Sequence, residues 1–142
     1  MRALLDANVL MALHDANHVH HAAATQWLKA HIELGWASCA LTQNGCLRIM
    51  AQASYSNPQP LPVLVHMLQR STQSSAHEFW RDGPSVLDPS RFEHGHIHSP
   101  RQLTDLYLLA LAVAHEGRFV TFDRRIPLSA VHGAATRHLV VI

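Results

Sequence analysis

Ala3-Leu4-Leu5-Asp6-Ala7-Asn8-Val9-Leu10 decides how the chain is read. Three apolar residues in succession, without alternation, suit a strand covered on both faces, as in a parallel sheet. The run stops at Asp6. Ligands of open parallel sheets bind outside the carboxyl ends of the strands, so an acid at that point is a candidate ligand group. A second apolar strand, Phe119-Val120-Thr121-Phe122, also ends in an acid, Asp123. Between them, Pro100 to Glu116 reads as one helix, with Ser99 as N-cap, Pro100 at the first helical position and Gly117 as the stop. Its middle, from Leu106 to Ala114, is apolar all round, which marks a helix buried on most sides. Asp105 is the acid that interrupts it.

The remaining elements follow from spacing. A short helix is expected from Ala7 to Leu13, then a polar loop over 14–21. Ala23, Trp27, Leu28 and Ile32 lie at helical spacing in a helix over 22–34 that Gly35 ends. Residues 36–40 read as a strand. A helix over 41–50 takes Thr42 as N-cap; Gly45 within it costs roughly 1 kcal/mol against Ala and suggests a close backbone approach. A further helix is expected over 62–69, broken by Ser71 to Ser75. Residues 77–80 form a short edge strand, 81–99 a loop, and 139–142 the last strand. Strands alternating with helices predict an α/β fold with a mostly parallel sheet.

The chain has 142 residues, the size of one domain spanning 1–142, and 48% of them are hydrophobic, enough for a sizeable core. Charged residues are only 15%, below the usual quarter, so part of the surface is expected to be covered by a partner or a second copy. A formal net charge of +1 excludes a strongly basic nucleic-acid module, though not an enzyme with an acidic centre and a local basic rim. Cys39 and Cys46 form neither a disulfide framework nor a zinc-cysteine motif, which points to a reducing, cytoplasmic setting. No signal peptide and no membrane span are expected.

Three carboxylates on one sheet edge repel one another and hold protons. A divalent cation with oxygen ligands, Mg²⁺ or Mn²⁺, removes that conflict and can activate water against a phosphoryl group. Each acid also has a plain structural reading. Arg101, four residues before Asp105, offers an i,i+4 pair; Asp6 can cap a helix; Asp123 can be a turn acid before Arg124 and Arg125. Together the plain readings are the less economical account.

These motifs also resemble a family. Leu5-Asp6-Ala7-Asn8-Val9-Leu10, then Thr104-Asp105-Leu106-Tyr107-Leu108-Leu109-Ala110-Leu111-Ala112, then Gly117 and Val120-Thr121-Phe122-Asp123 resemble the opening and closing motifs of PIN-domain proteins of the VapC type. His18-Val19-His20-His21 with Ala24 and Trp27, and Leu41-Thr42-Gln43-Asn44-Gly45 with Arg48, are similar to one VapC branch. The resemblance covers essentially the whole chain. It implies a three-layer α/β/α PIN-like fold and a metal-dependent endoribonuclease toxin acting on RNA. It further implies silencing by a VapB-type antitoxin, a homodimer, and Asp6, Asp105 and Asp123 as metal-binding acids. Thr121 falls at the position that supports the last acid and Asn8 at the polar position after the first.

One departure stands out. The family commonly carries a Glu on the helix after the second strand, where this chain has no acid; Gln43 and Asn44 are the nearest candidates, and Glu93 is a distant substitute from a loop. An amide brings no charge, so one metal is expected to bind more readily than two. Arg48, Arg124 and Arg125 are candidates to meet RNA phosphates, or else surface charges paired with the acids. The alternative to an active nuclease is a catalytically weakened PIN-fold protein that binds RNA or a partner. A dehalogenase-like phosphatase also starts from an Asp after strand one, but the second Asp is missing and the only lysine is Lys29. The sets His14, His18, His21 and His94, His96, His98 lack a Cys or Glu at metal-ligand spacing and read as loop histidines. Trp27, Trp36 and Trp80 are core residues or base-stacking platforms.

Overall fold

The apolar runs become five short strands: β1 (Ala3–Leu5), β2 (Trp36–Ser38), β3 (His77–Phe79), β4 (Arg118–Thr121) and β5 (Leu139–Val141). In the computed structural model, which describes residues 1–142, they form one sheet in the order β3-β2-β1-β4-β5. Every pairing is parallel, so the sheet is parallel throughout. β1, β2 and β4 are the interior strands, and the first two are buried at every residue, which is why they lack a polar alternation.

Helices α1 (Ala7–His14), α2 (His21–His31), α3 (Ala40–Met50) and α4 (Leu61–Thr72) connect β1 to β2 and β2 to β3. They pack on one face, where Leu5, Val9, Leu10, Trp36, Met50, Leu64 and Val120 share a core. Helix α5 (Leu103–Ala114) crosses back to β4 over the other face, where Leu4, Ala37, Trp80, Leu106, Leu109 and Phe119 share a second core. The connection leaving β1 runs toward β2 and the one leaving β4 toward β5. A crevice therefore opens between the carboxyl ends of β1 and β4, the usual ligand position of such sheets.

Gly45 has the packing role its position suggested: a Cβ there would lie 3.1 Å from the Ala7 Cβ, so its absence lets α3 approach the start of α1. Three local expectations need correction. Cys39, not Thr42, is the N-cap of α3; Thr42 sits three residues in, and its hydroxyl accepts the Cys39 N–H at 3.0 Å. Ser71 does not break α4, which runs on through Thr72, and the Ser71 and Thr72 hydroxyls satisfy themselves by donating back to the Met67 and Leu68 carbonyls. The single helix expected from Pro100 begins as a 3₁₀ turn, Pro100–Gln102, capped by the Ser99 hydroxyl accepting from the Arg101 N–H. At its other end Glu116 takes the left-handed position with φ 52°. The Gly117 N–H then donates to the Ala112 carbonyl at 2.8 Å and the Glu116 N–H to that of Val113 at 3.1 Å, a Schellman ending. Gly117 is required for another reason: a Cβ there would lie 2.8 Å from the Arg2 carbonyl oxygen. No helix is long and apolar enough to cross a membrane.

Candidate active site

The crevice receives one acid from each of three elements. Asp6 follows β1, and its N–H continues the ladder to the Val120 carbonyl at 3.0 Å. It occupies the N-cap position of α1, yet its side chain makes no capping bond. It is buried, 7% exposed, and the buried Thr121 hydroxyl donates to its Oδ2 at 2.8 Å. Thr121 thus supports the first acid by its proton and the last by its lone pair, since Thr121 Oγ1 accepts the Asp123 N–H at 3.1 Å. Asp105 stands in the first turn of α5, where the helix dipole favours a negative charge. Burial of Leu106, Leu108, Leu109 and Leu111 behind it, worth roughly 1.5–3 kcal/mol each, fixes that turn against the sheet.

The electrostatics are unequal. Burial raises the pKa of Asp6 against the lowering pull of the Thr121 hydroxyl and of the nearby Ala7 and Asn8 amides, and the charge of Asp123 adds to the rise. Asp105 is pushed up to about 6, first by burial and then by the charges of Asp6 and Asp123. Asp123 goes the other way, because Arg125 holds it. Arg125 donates to Asp123 Oδ1 from its backbone N–H at 2.8 Å and from Nε at 3.2 Å. The three acids therefore feel one another's charge without closing into a ligand set. No three His, Cys, Asp or Glu side chains anywhere in the chain are drawn together tightly enough to hold a metal ion. With Asp123 turned onto an arginine that is itself 87% exposed, opening that pair costs little. Carboxylate oxygens from three elements, two of them resisting ionisation, match the donor chemistry of a hard cation that retains several waters.

A cleft of about 210 Å³ adjoins Asp105 and Asp123, with Arg101, Gln102 and Arg125 on its walls. Arg101 makes no ion pair with Asp105, so the i,i+4 explanation of Asp105 fails. Arg101 and Gln102 are the wall residues that sequence reasoning did not assign to the site; the one available signal was their place in the turn before Asp105. Of the remaining candidates, Gln43 is half-buried, and its Nε2 donates to the Ser38 Oγ at 2.9 Å at the end of β2, whereas Asn44 is exposed without a hydrogen bond of its side chain. Asn8, Arg48 and Arg124 are exposed. Glu93 is exposed and contributes no charge to any of the three acids. The His14 and His21 rings bond to the Leu10 and Ala12 carbonyls, and His94 and His96 to those of Val86 and Ser129; neither histidine set forms a metal site.

Residues 3–131 match the PIN domain family. The chain is 51% identical over 142 residues, the whole of both proteins, to ribonuclease VapC44 of Mycobacterium tuberculosis. It is 38% identical over 134 residues to ribonuclease VapC39 of the same organism, covering 94% of this chain and 96% of that protein. A crystal structure of VapBC2 from Rickettsia felis, bound to a DNA fragment from their promoter, superposes with a TM-score of 0.61 at 13% identity, covering 100% of this chain and 98% of that one.

Proposed function

The chain belongs to the PIN-domain family, among its VapC ribonucleases, and we propose that it is a metal-dependent endoribonuclease toxin centred on Asp6, Asp105 and Asp123. The observation that carries this reading is the placement of three carboxylates at the switch point of a parallel sheet, where Asp105 is forced up to about 6 by burial and by the other two charges. Isolated turn acids and helix caps do not behave so.

A divalent cation, Mg²⁺ or Mn²⁺, when bound, supplies positive charge that acidifies a water and offsets charge on the phosphoryl group. Asp6 holds its carboxylate in a fixed rotamer through Thr121. Asp105 presents its oxygens from a rigid helix start. Asp123 reaches the same edge by releasing Arg125, whose guanidinium then stands free beside the scissile phosphate. Arg101, Arg48 and Arg124 meet flanking phosphates, which position the strand without reading its sequence. No acid stands at the fourth position, where Gln43 and Asn44 are the nearest candidates and the Gln43 amide is already committed to Ser38, so the centre takes one metal more readily than two. The partners are an RNA substrate, a VapB-type antitoxin that silences the enzyme, and a second copy of the chain.

The test is cleavage of a panel of structured RNAs by the purified chain, with Mg²⁺ or Mn²⁺, with EDTA, and with Asp6→Asn. Metal-dependent cleavage lost in both controls supports the reading. Tight RNA binding with no cleavage across the panel contradicts it and favours a binding protein on the same fold.

A further inference from the structure

The polar loop between α1 and α2 builds something beside the acids that holding a cation does not require. The rings of His20 and Phe122 stack with centroids 4.5 Å apart and planes 29° apart. The His18 ring lies 6.4 Å from Phe122 at an interplanar angle of 19°. Phe122 immediately precedes Asp123, so this stack starts one residue from the acid centre. His20 is exposed, which leaves its outer face to solvent. The His18 ring is also set in place. The His20 N–H donates to His18 Nδ1 at 3.0 Å, so that nitrogen carries a lone pair and the ring proton of neutral His18 is on Nε2.

The tryptophans do not offer this surface. Trp36 and Trp80 are buried, and Trp27 is covered by the His31 ring at 4.3 Å and by the Arg118 guanidinium at 5.1 Å. The histidine pair on Phe122 is thus an open aromatic surface whose supporting residue is the chain neighbour of Asp123.

We propose that His20, backed by Phe122 and flanked by His18, is a stacking shelf for an unpaired RNA base adjoining the scissile phosphate. The inference rests on the ribonuclease reading and adds to it the side chains that contact a substrate base. Bases stack on aromatic rings whatever their identity, because every base has a π-face. A base inside a duplex has both faces occupied by its neighbours, so the shelf selects single-stranded loops and ends, the usual targets of protein recognition in RNA. Purines, with the larger face, are held better than pyrimidines. His18 Nε2–H adds a donor at the shelf's edge for a base or phosphate oxygen. His20 and His18 are positioning residues here, not members of the metal centre.

The experiment uses a pool of RNA hairpins with one fixed stem and a randomised loop, cleaved in Mg²⁺ or Mn²⁺ and read by sequencing the new ends. Wild type and His20→Phe are expected to cut in the loop with an unpaired purine enriched at one fixed position beside the cut. His20→Ala is expected to lose that enrichment and about tenfold in kcat/KM while remaining folded at the assay temperature, and the retention of both by His20→Phe, which keeps a ring on Phe122, separates the loss of the shelf from the loss of one stacking contact. Asp6→Asn should cut nothing. The shelf is overturned if His20→Ala retains the positional preference and the rate, or if wild type cuts the paired stem as readily as the loop; in both cases the nuclease reading survives. If wild type cuts no member of the pool, the nuclease reading fails and the shelf with it.

Discussion

Asp105→Asn should make the metal-free protein more stable while abolishing its activity. The structure supplies the magnitude. The folded-state pKa of Asp105 is raised from 3.8 to about 6, so between those values the folded chain binds more protons than the unfolded one. Stability then falls as pH rises through about 4 to 6, and the loss is complete above that window. At about 1.4 kcal/mol per pH unit the full displacement corresponds to about 3 kcal/mol; water around a partly exposed carboxylate screens this to roughly 1–2 kcal/mol. Asparagine removes the repulsion but also gives up a favourable charge in the first turn of α5, worth about 0.3–1 kcal/mol. The net expectation is a gain of about 1 kcal/mol at pH 8 in EDTA, a rise in Tm of roughly 3–4 °C. Urea unfolding of both proteins from pH 4 to 8 measures it. The difference in stability between variant and wild type should grow across the window and level off above it, since the variant lacks only the Asp105 contribution. Metal should restore wild type, by about 2.7 kcal/mol at a hundredfold excess over Kd, and leave the variant unmoved. An Asp105→Asn protein no more stable than wild type at pH 8 refutes the claim that Asp105 is held against its neighbours' charges.

Three further outcomes are expected. Gln43→Glu puts an acid at one of the two candidate fourth positions, and should raise Mn²⁺ affinity at least several-fold in calorimetry while lowering stability in EDTA. Glu116→Gly relieves a non-glycine residue at φ 52° and should stabilise the chain by about 0.5–1 kcal/mol in thermal melts. Tyr55→Phe removes the 2.6 Å hydrogen bond to Asp15, whose carboxyl is held below its ordinary pKa by Tyr55, with Asn57 and Asn17 adding to it. A depressed carboxylate stabilises above its unfolded pKa and loses that contribution as pH falls through the folded one. The variant should therefore cost about 1.5–3 kcal/mol at pH 7 and progressively less below pH 4, as denaturant curves at both ends will report.

The strands and their terminal acids were legible because one cause writes both. A strand covered on two faces must be apolar, so the acid that ends it is conspicuous at Asp6 and again at Asp123. The all-apolar body of α5 made Asp105 visible in the same way. Gly45 was legible as a close approach, since nothing else favours glycine inside a helix. What sequence could not show were relations set by the tertiary fold. The family resemblance puts Thr121 beside the last acid, but its hydroxyl also reaches Asp6 across 115 residues of chain, which no local pattern encodes. The turn that closes Arg125 onto Asp123 depends on backbone geometry that the run Asp123-Arg124-Arg125 leaves open. The histidine loop reads as polar filler, because its stacking partner Phe122 lies just past the end of a strand distant in the chain. Thr42 reads as an N-cap three positions from the true one, because a threonine hydroxyl can serve either end of a capping box.

The central claim, one cation centre built from Asp6, Asp105 and Asp123, is tested most directly by titrating the EDTA-treated protein with Mn²⁺ and following the free-ion signal by electron paramagnetic resonance. Wild type should bind one Mn²⁺ per chain, and Asp6→Asn should bind none over the same concentrations while melting as a folded protein. Equal Mn²⁺ binding by wild type and the folded Asp6→Asn variant, or none by either, contradicts the account.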